Sequence, residues 1–203
     1  MTIANELHQI ECEGGIYEVA EGVVIDETSK IGPNTKIWSG AKIFPEAQIG
    51  SHCVIGAGVH IEHGVKLGNF CKVQRGVTLY SGVEAEDYVF FGPNVTTTND
   101  RNPRAFGDWE LSRTKFEIGC SMGANATIVA GIKIGALSLI GAGAVVTKNV
   151  EPCSLVHGNP AKRAGWVDVG GNVITREITM PDSLIAVAHN PLLAIESYLA
   201  NNR

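Results

Sequence analysis

Along the chain, the bulky apolar residues keep a beat of six. Every sixth position from Val19 gives Val19, Ile25, Ile31, Ile37, Ile43, Ile49, Ile55, Ile61, Leu67, Val73, Leu79, Ala85, Phe91 and Thr97. Four residues after each comes a smaller or β-branched position, including Thr35, Ala41, Ala47, Cys53, Val59, Val65, Cys71 and Val77. Gly, Pro, Asn and Asp, which suit turns, fall between them. A period of six is not the 3.6 of an amphipathic helix, and it leaves no room for a meander. Each hexad predicts one short strand and a corner. Three hexads close a triangular coil of eighteen residues, and coils stack at strand spacing, roughly 4.8 Å.

The beat fails once. The run "TNDRNPRAFGDWELSRTK", residues 98–115, carries no hexad pattern. From Phe116 the pattern resumes one residue out of phase, through Met122, Ile128, Ile134, Ile140 and Val146. Cys120, Ala126, Ile132, Ser138, Ala144 and Val150 follow in the second position. A loop longer than about 12–15 residues inside a compact domain usually has a function. This one holds Arg101, Arg104 and Arg113 with Asn99, Asp100 and Trp109. Such an arginine group suits a pyrophosphate or a sugar carboxylate.

Stacked coils expose strand edges at both ends and need caps. Residues 1–18 read as an N-terminal cap, 19–151 as the coiled domain with loop 98–115, and 152–203 as the closing segment. In that segment "RAGWVDVGGNVITREIT" predicts a hairpin turning at Gly170-Gly171-Asn172. "NPLLAIESYLANN" predicts one short helix, with Asn190 as N-cap, Pro191 opening it, and Leu192, Ile195 and Leu199 on one face. The fold class is therefore all-β: a parallel β-helix of about six to seven 18-residue coils, one inserted loop, a C-terminal hairpin and a short helix.

Composition narrows the function. Glycine contributes 24 of 203 residues and aromatics only 6%, which argues against a helical bundle or an aromatic-packed sandwich. A net charge of −5 without a basic run argues against nucleic acid. The absence of a long apolar run or a leader-like start predicts a cytoplasmic chain with no membrane insertion. Cys53, Cys71 and Cys120 share the small inward position and read as core fillers rather than reactive thiols. His52, His60 and His63 are close in sequence, but no pair is eighteen apart, so no metal is expected.

The hexad pattern over residues 19–151 resembles the hexapeptide-repeat acyltransferase superfamily, whose β-helix is left-handed. That resemblance, not the spacing, implies the handedness, which runs against the usual crossover preference. The C-terminal run "GANATIVAGIKIGALSLIGAGAVVTKNVEPCSLVHGNPAKRAGW" is similar to the segment of its acetyl-CoA-dependent members, with G-A-G-A-V-V-T-K and G-N-P-A-K. This implies acetyl-CoA as acetyl donor. Gly123, Ala124, Asn125, Gly141 and Ala142 would lie along its arm, Lys148, Lys162 and Arg163 near its phosphates, and His157 and Asn159 elsewhere beside the CoA. The run "KVQRGVTLYSGVEAEDYVFFGPNVTTTNDRNPRA" resembles the branch that N-acetylates amino sugars on UDP or dTDP. It implies Gln74, Arg75, Tyr80, Asn94, Asp100, Arg101 and Arg104 as contacts to the nucleotide-linked amino sugar. Two positions depart from the uronate enzymes of that branch: Gln74-Arg75-Gly76-Val77 stands for Q-N-N-V, and Tyr80-Ser81 for Y-D. The superfamily also implies a homotrimer with sites between subunits.

Coil arithmetic puts Asn99, Ser81 and His63 in one column, about 5 Å per step. These three are the catalytic candidates. An amine of pKa about 8 is partly neutral at physiological pH and can attack a thioester directly, with a donor such as Asn99 polarising the carbonyl. The alternatives are O-acetylation of a sugar or other acceptor with His63 as base, a carbonic-anhydrase-like zinc enzyme, and a purely structural solenoid.

Overall fold

The computed structural model describes residues 7–202. The hexads form a left-handed parallel β-helix of about eight turns, each a triangle of very short strands. Face 1 carries rungs at Val19, Ile37, Ile55, Val73, Phe91, Met122, Ile140 and Val156. Face 2 runs from Ile25 to Val146 and face 3 from Ile31 to Ile134. The count exceeds the expected six to seven because the last coil is short. Ile140 pairs with Val156 and Ile134 bridges to Val150, each sixteen residues on rather than eighteen, which hid this coil from the hexad count.

From Ile31 on, both inward columns are buried as the spacing predicts, while Val23, Ile25 and Ser29 of the first coil are half-buried. Ile37, Ile55, Ile61, Leu79, Phe91, Met122, Ile128, Ile134 and Ile140 are fully enclosed, and so are Cys53, Cys71 and Cys120. Each enclosed Ile, Leu or Met contributes roughly 1.5–3 kcal/mol of burial. Between coils the backbone bonds in register, as in Lys42 N–H to Val59 O (2.8 Å) and Gly50 N–H to Leu67 O (2.9 Å).

Across the break, Val83 pairs with Thr114, Phe91 with Met122 and Thr97 with Ile128, each 31 residues on. Thirteen residues are thus added at one corner, and all three faces keep their register. The strand Thr114–Phe116 takes in Thr114 and Lys115, so the loop is Thr98–Arg113, two residues shorter than expected. Inside the prism, Phe91 and Phe116 meet edge to face with ring centroids 5.0 Å apart.

The ends differ from expectation. At the N-terminal end Leu7–Cys12 pairs antiparallel with Gly15–Ala20, adding a strand to face 1 ahead of its first coil. Residues 1–6 of the expected N-terminal cap lie outside the described residues. At the other end, face 1 continues through Ser154–Gly158, Ala161–Val167 and Val173–Thr175 as two antiparallel hairpins where one was expected. The foreseen turn is present: Asp168 N–H bonds to Asn172 O at 3.0 Å. The unforeseen one is Gly158-Asn159-Pro160-Ala161, where Gly158 pairs with Ala161 and the Asn159–Pro160 bond is cis.

Two helices follow, α1 (Asp182–His189) and α2 (Pro191–Asn201), where one was expected. They fold back onto the corner between faces 3 and 1, where Leu184 and Ile195 pack with Leu137, Cys153 and Trp166. Leu192 and Leu199 stay exposed, so Ile195 alone of the expected helix face is buried. Asn190 stands at the N-cap without a side-chain capping bond. Among the described residues, no helix is long and apolar enough to cross a membrane.

Candidate functional site

The candidate residues fall on two edges of the prism. On the edge between faces 1 and 2, successive coils present Gln74-Arg75, Asn94, Gly123-Ala124-Asn125 and Gly141-Ala142, with His157 on the rung above Gly141. On the edge between faces 2 and 3 lie His63, Tyr80-Ser81, the loop from Thr98 with Asn99, Asp100, Arg101 and Arg104, and Lys148. Between the two edges runs face 2, whose outward side carries the register-paired Thr78, Thr96 and Thr127. The structure therefore joins Gln74, Arg75 and Asn94 to the glycine–alanine edge. It separates them from Asn99, Ser81 and His63, and it puts Lys148 on the edge of those three, a face away from Gly123, Ala124, Asn125, Gly141 and Ala142.

On the first edge, fold geometry already demands the small residues. Asn94 and Asn125 occupy the left-handed corner at φ 58, which asparagine tolerates better than most residues. Gly123 and Gly141 have ordinary φ and are small for another reason. A Cβ on Gly123 would sit 2.5 Å from Ala142 N, and one on Gly141 would sit 2.7 Å from His157 Cβ. Their missing side chains make room for the next coil.

On the second edge, the neck of the loop is tied down. Where the chain leaves the face, backbone donors lose their ladder partners, and threonine hydroxyls replace them. Tyr80 N–H donates to Thr97 Oγ1 (2.8 Å), Ala130 N–H to Thr98 Oγ1 (2.9 Å) and Gly131 N–H to Thr114 Oγ1 (3.1 Å). Ser112 N–H closes the neck on Asn99 O at 2.8 Å. This accounts for Thr97, Thr98 and Thr114, whose role the sequence reading missed. Asn102 N–H on Asp100 Oδ1 (2.8 Å) forms a turn just beyond, so Asp100 holds the loop's own backbone.

The histidines are dispersed. His52 stacks on Phe70 at 4.9 Å on the third edge, His60 points outward from face 2 beside Phe44, and His63 is on the second edge. His63 Nε2 lies 3.7 Å from Glu46 Oε2, one coil toward the N-terminus and away from Asn99.

A third arrangement closes the C-terminal end. Lys148, Lys162 and Arg163 line one cavity of about 380 Å³ with Thr147, Glu151 and Ser154. Arg163 pairs with Glu151, and its guanidinium lies 4.7 Å above the Trp166 ring. The cavity thus gathers three cations, one already neutralised.

Comparison with known proteins agrees with this architecture. The family described as bacterial transferase hexapeptide (six repeats) matches residues 28–63 and 46–81, and the hexapeptide repeat of succinyl-transferase matches 117–148. Over 65 residues the chain is 46% identical to a dTDP-3-amino-3,6-dideoxy-alpha-D-galactopyranose 3-N-acetyltransferase of Aneurinibacillus thermoaerophilus, covering 32% of this chain and 31% of that one. Over 89 residues it is 39% identical to serine acetyltransferase 4 of Arabidopsis thaliana, covering 44% and 22%. The matched stretches thus span about a third and a fifth of these relatives. Among solved structures, a UDP-N-acetylglucosamine acyltransferase of Bacteroides fragilis superposes with TM-score 0.67 at 18% identity, covering 87% of this chain and 69% of that one. A GDP-perosamine N-acetyl transferase of Caulobacter crescentus, in complex with CoA and GDP-perosamine, gives TM-score 0.52 at 18% identity, covering 73% and 56%. The chain thus carries the hexapeptide repeat of bacterial transferases over residues 28–81 and 117–148, where the coils are, and the solved structures share the prism.

Proposed function

We propose that the chain is an acetyl-CoA-dependent N-acetyltransferase acting on the amino group of a UDP- or dTDP-linked amino sugar. The observation that carries the reading is the 46% identity to an enzyme named for that reaction on a dTDP-linked 3-amino sugar. The arginine-bearing loop and the cation-lined terminal cavity support it as sites for two phosphate-bearing substrates.

The neutral amine attacks the thioester carbonyl, and the carbon becomes tetrahedral. Its oxyanion takes hydrogen bonds from the Asn99 side chain or nearby backbone N–H groups. The C–S bond then breaks, the amide remains on the sugar, and the proton lost by nitrogen balances the departing CoA thiolate. Ser81 and Tyr80 lie within a coil of Asn99 and would orient the sugar, with Gln74, Arg75 and Asn94 on the opposite edge.

Because those two edges are separated by a whole face of one prism, the reading includes a homotrimer. One subunit's second edge would meet a neighbour's first edge, with Gly123, Ala124, Asn125, Gly141, Ala142, His157 and Asn159 flanking the donor. Five unpaired cysteines favour the cytoplasm, where thiols stay reduced. A second reading, O-acetylation with His63 as base, is favoured by the Glu46 carboxylate beside that ring.

The test is thiol release from acetyl-CoA against UDP- and dTDP-linked 3-amino and 4-amino sugars, beside their hydroxyl analogues. Turnover with an amine and none with its hydroxyl analogue supports N-acetylation. Turnover with a hydroxyl that His63→Ala abolishes supports the second reading, and silence with every acceptor sinks both.

A further inference from the structure

The three arginines of the loop differ in what holds them. Arg113, at the returning end, has its Nη1 3.4 Å from Glu84 Oε1, and Glu84 also faces Lys66 Nζ at 3.6 Å. Its charge is already answered on face 3. Arg104 donates to the carbonyl of its neighbour Pro103 at 2.8 Å and stands exposed. Arg101 is different again. Its stem lies over Gly131 in the next coil, where a Cβ would come within 3.4 Å of Arg101 Cδ and 3.6 Å of Nη1. Among the described residues, no carboxylate lies within ion-pair distance of it. Arg101 is thus a guanidinium laid along the prism edge by packing, with its donors free.

The distal part of the same loop displays two large rings. Phe106 is 78% exposed and Trp109 60% exposed, and neither stacks on another ring of the chain among the described residues. The exposed rings of the coils themselves, Phe70 at 41% and Tyr80 at 40%, are less bare, so these two aromatics a few residues from a free guanidinium are an unusual surface. The neck is fixed by the three threonine bonds and by Leu111, which packs where a Cβ on Gly82 would sit 3.0 Å from Leu111 Cδ1. The rings therefore extend from an anchored base.

We infer that this loop is a nucleoside-diphosphate recognition element with divided roles. Arg101 takes the pyrophosphate in a fork of paired N–H donors, Trp109 and Phe106 offer a ring face to the base, and Arg113 anchors the returning strand without touching the ligand. The inference rests on the proposed acceptor class but concerns binding alone, so it can be tested without acetyl transfer.

Free dTDP and UDP are the probes, titrated against the full-length protein by calorimetry and by tryptophan fluorescence. Wild-type protein binds at least one of them and its emission changes on binding, a change that Trp109→Phe removes. Arg101→Gln weakens binding by about tenfold or more, because a charge-assisted pair is lost. Arg101→Lys recovers only part of it, because an ammonium cannot form the fork. Arg113→Gln stays within about twofold of wild type, since an exposed ion pair adds little to a neck already held by other bonds.

Equal losses from Arg101→Gln and Arg113→Gln overturn the division of roles, as does nucleotide binding untouched by Arg101→Gln and by Trp109→Ala. Failure of both probes to bind a protein that does acetylate nucleotide-linked amino sugars overturns the inference and leaves the proposed function standing. Tight loop-dependent binding with no acetylation of any such sugar does the reverse.

Discussion

Replacing Gly123 with alanine tests whether coil stacking or ligand approach put glycine on the first edge. The new Cβ would lie 2.5 Å from Ala142 N and 2.9 Å from both Ala142 Cα and Gly141 C. All three are backbone atoms of the next coil, so no rotamer change relieves the contact. Reaching ordinary van der Waals separation requires the coils to part by about 1 Å. Two bonds span that gap, Gly123 N–H to Ile140 O and Gly143 N–H to Ala124 O, each 2.8 Å, and both would stretch beyond useful length. Two lost backbone bonds at about 1 kcal/mol each, with an overpacking cost of about 1–3 kcal/mol, total about 4 kcal/mol. For a chain of this size the melting midpoint would fall by about 8–16 °C. Gly143 is the internal control: it has nothing within 4 Å but sits at φ +69. Gly143→Ala costs about 1 kcal/mol for the left-handed corner, and Gly143→Asn less, because Asn94 and Asn125 already hold equivalent corners. Thermal melts and urea midpoints of the ligand-free proteins give the answer. If Gly123→Ala melts with wild type and loses only acetyl-CoA affinity, the stacking argument is wrong and the glycine serves the ligand.

Thiol chemistry gives a second expectation. In native protein a disulfide-exchange reagent at pH 8 labels Cys12 alone, and in denaturant it labels all five cysteines. Burial, then the nearby Glu117 charge, pushes the Cys120 thiol up, and burial pushes Cys153 up to about 11. A raised folded value stabilises below the unfolded value of 9.0 and is lost as pH rises past it. The unfolding free energy from urea melts should hold through pH 8 and then fall, by about 1 kcal/mol per thiol at pH 10; an unchanged value at pH 10 refutes this. Thr98→Val leaves the Ala130 N–H without its partner, at a cost of about 1–3 kcal/mol. It should open the loop to protease between residues 101 and 110 before the prism melts, and cleavage at the wild-type rate would count against the neck description.

The coils were legible because inward residues such as Ile55 and Cys53 answer only to the prism's own geometry, which repeats. What the period could not express stayed hidden. The last coil is two residues short, so Val156 falls off the beat although it pairs with Ile140. The strand Ser154–Gly158 was obscured because its "HGNPAK" end reads as a ligand motif, while in the fold it is also a hairpin turn. α1 was missed because "DSLIAVAH" is only two turns long, and its stability comes from Leu184 packing on Trp166 and Cys153. For the site, arithmetic in steps of eighteen found the column His63–Ser81–Asn99. It could not place Gly123 relative to Asn99, because the step across the break is 31 residues rather than eighteen. Nor could it separate Arg101 from Arg113, since partners such as Glu84 and Gly131 come from other coils.

The thirteen extra residues also bear on how such a chain diversifies. They enter and leave at one corner, and partners on all three walls are displaced by the same 31 positions. The strand pairing above and below is therefore the same whatever the excursion contains beyond its neck. Selection can lengthen, shorten or rewrite it as a cassette without re-solving the packing of a single rung. Recognition and architecture are then inherited separately, and two descendants can share every coil yet bind different ligands.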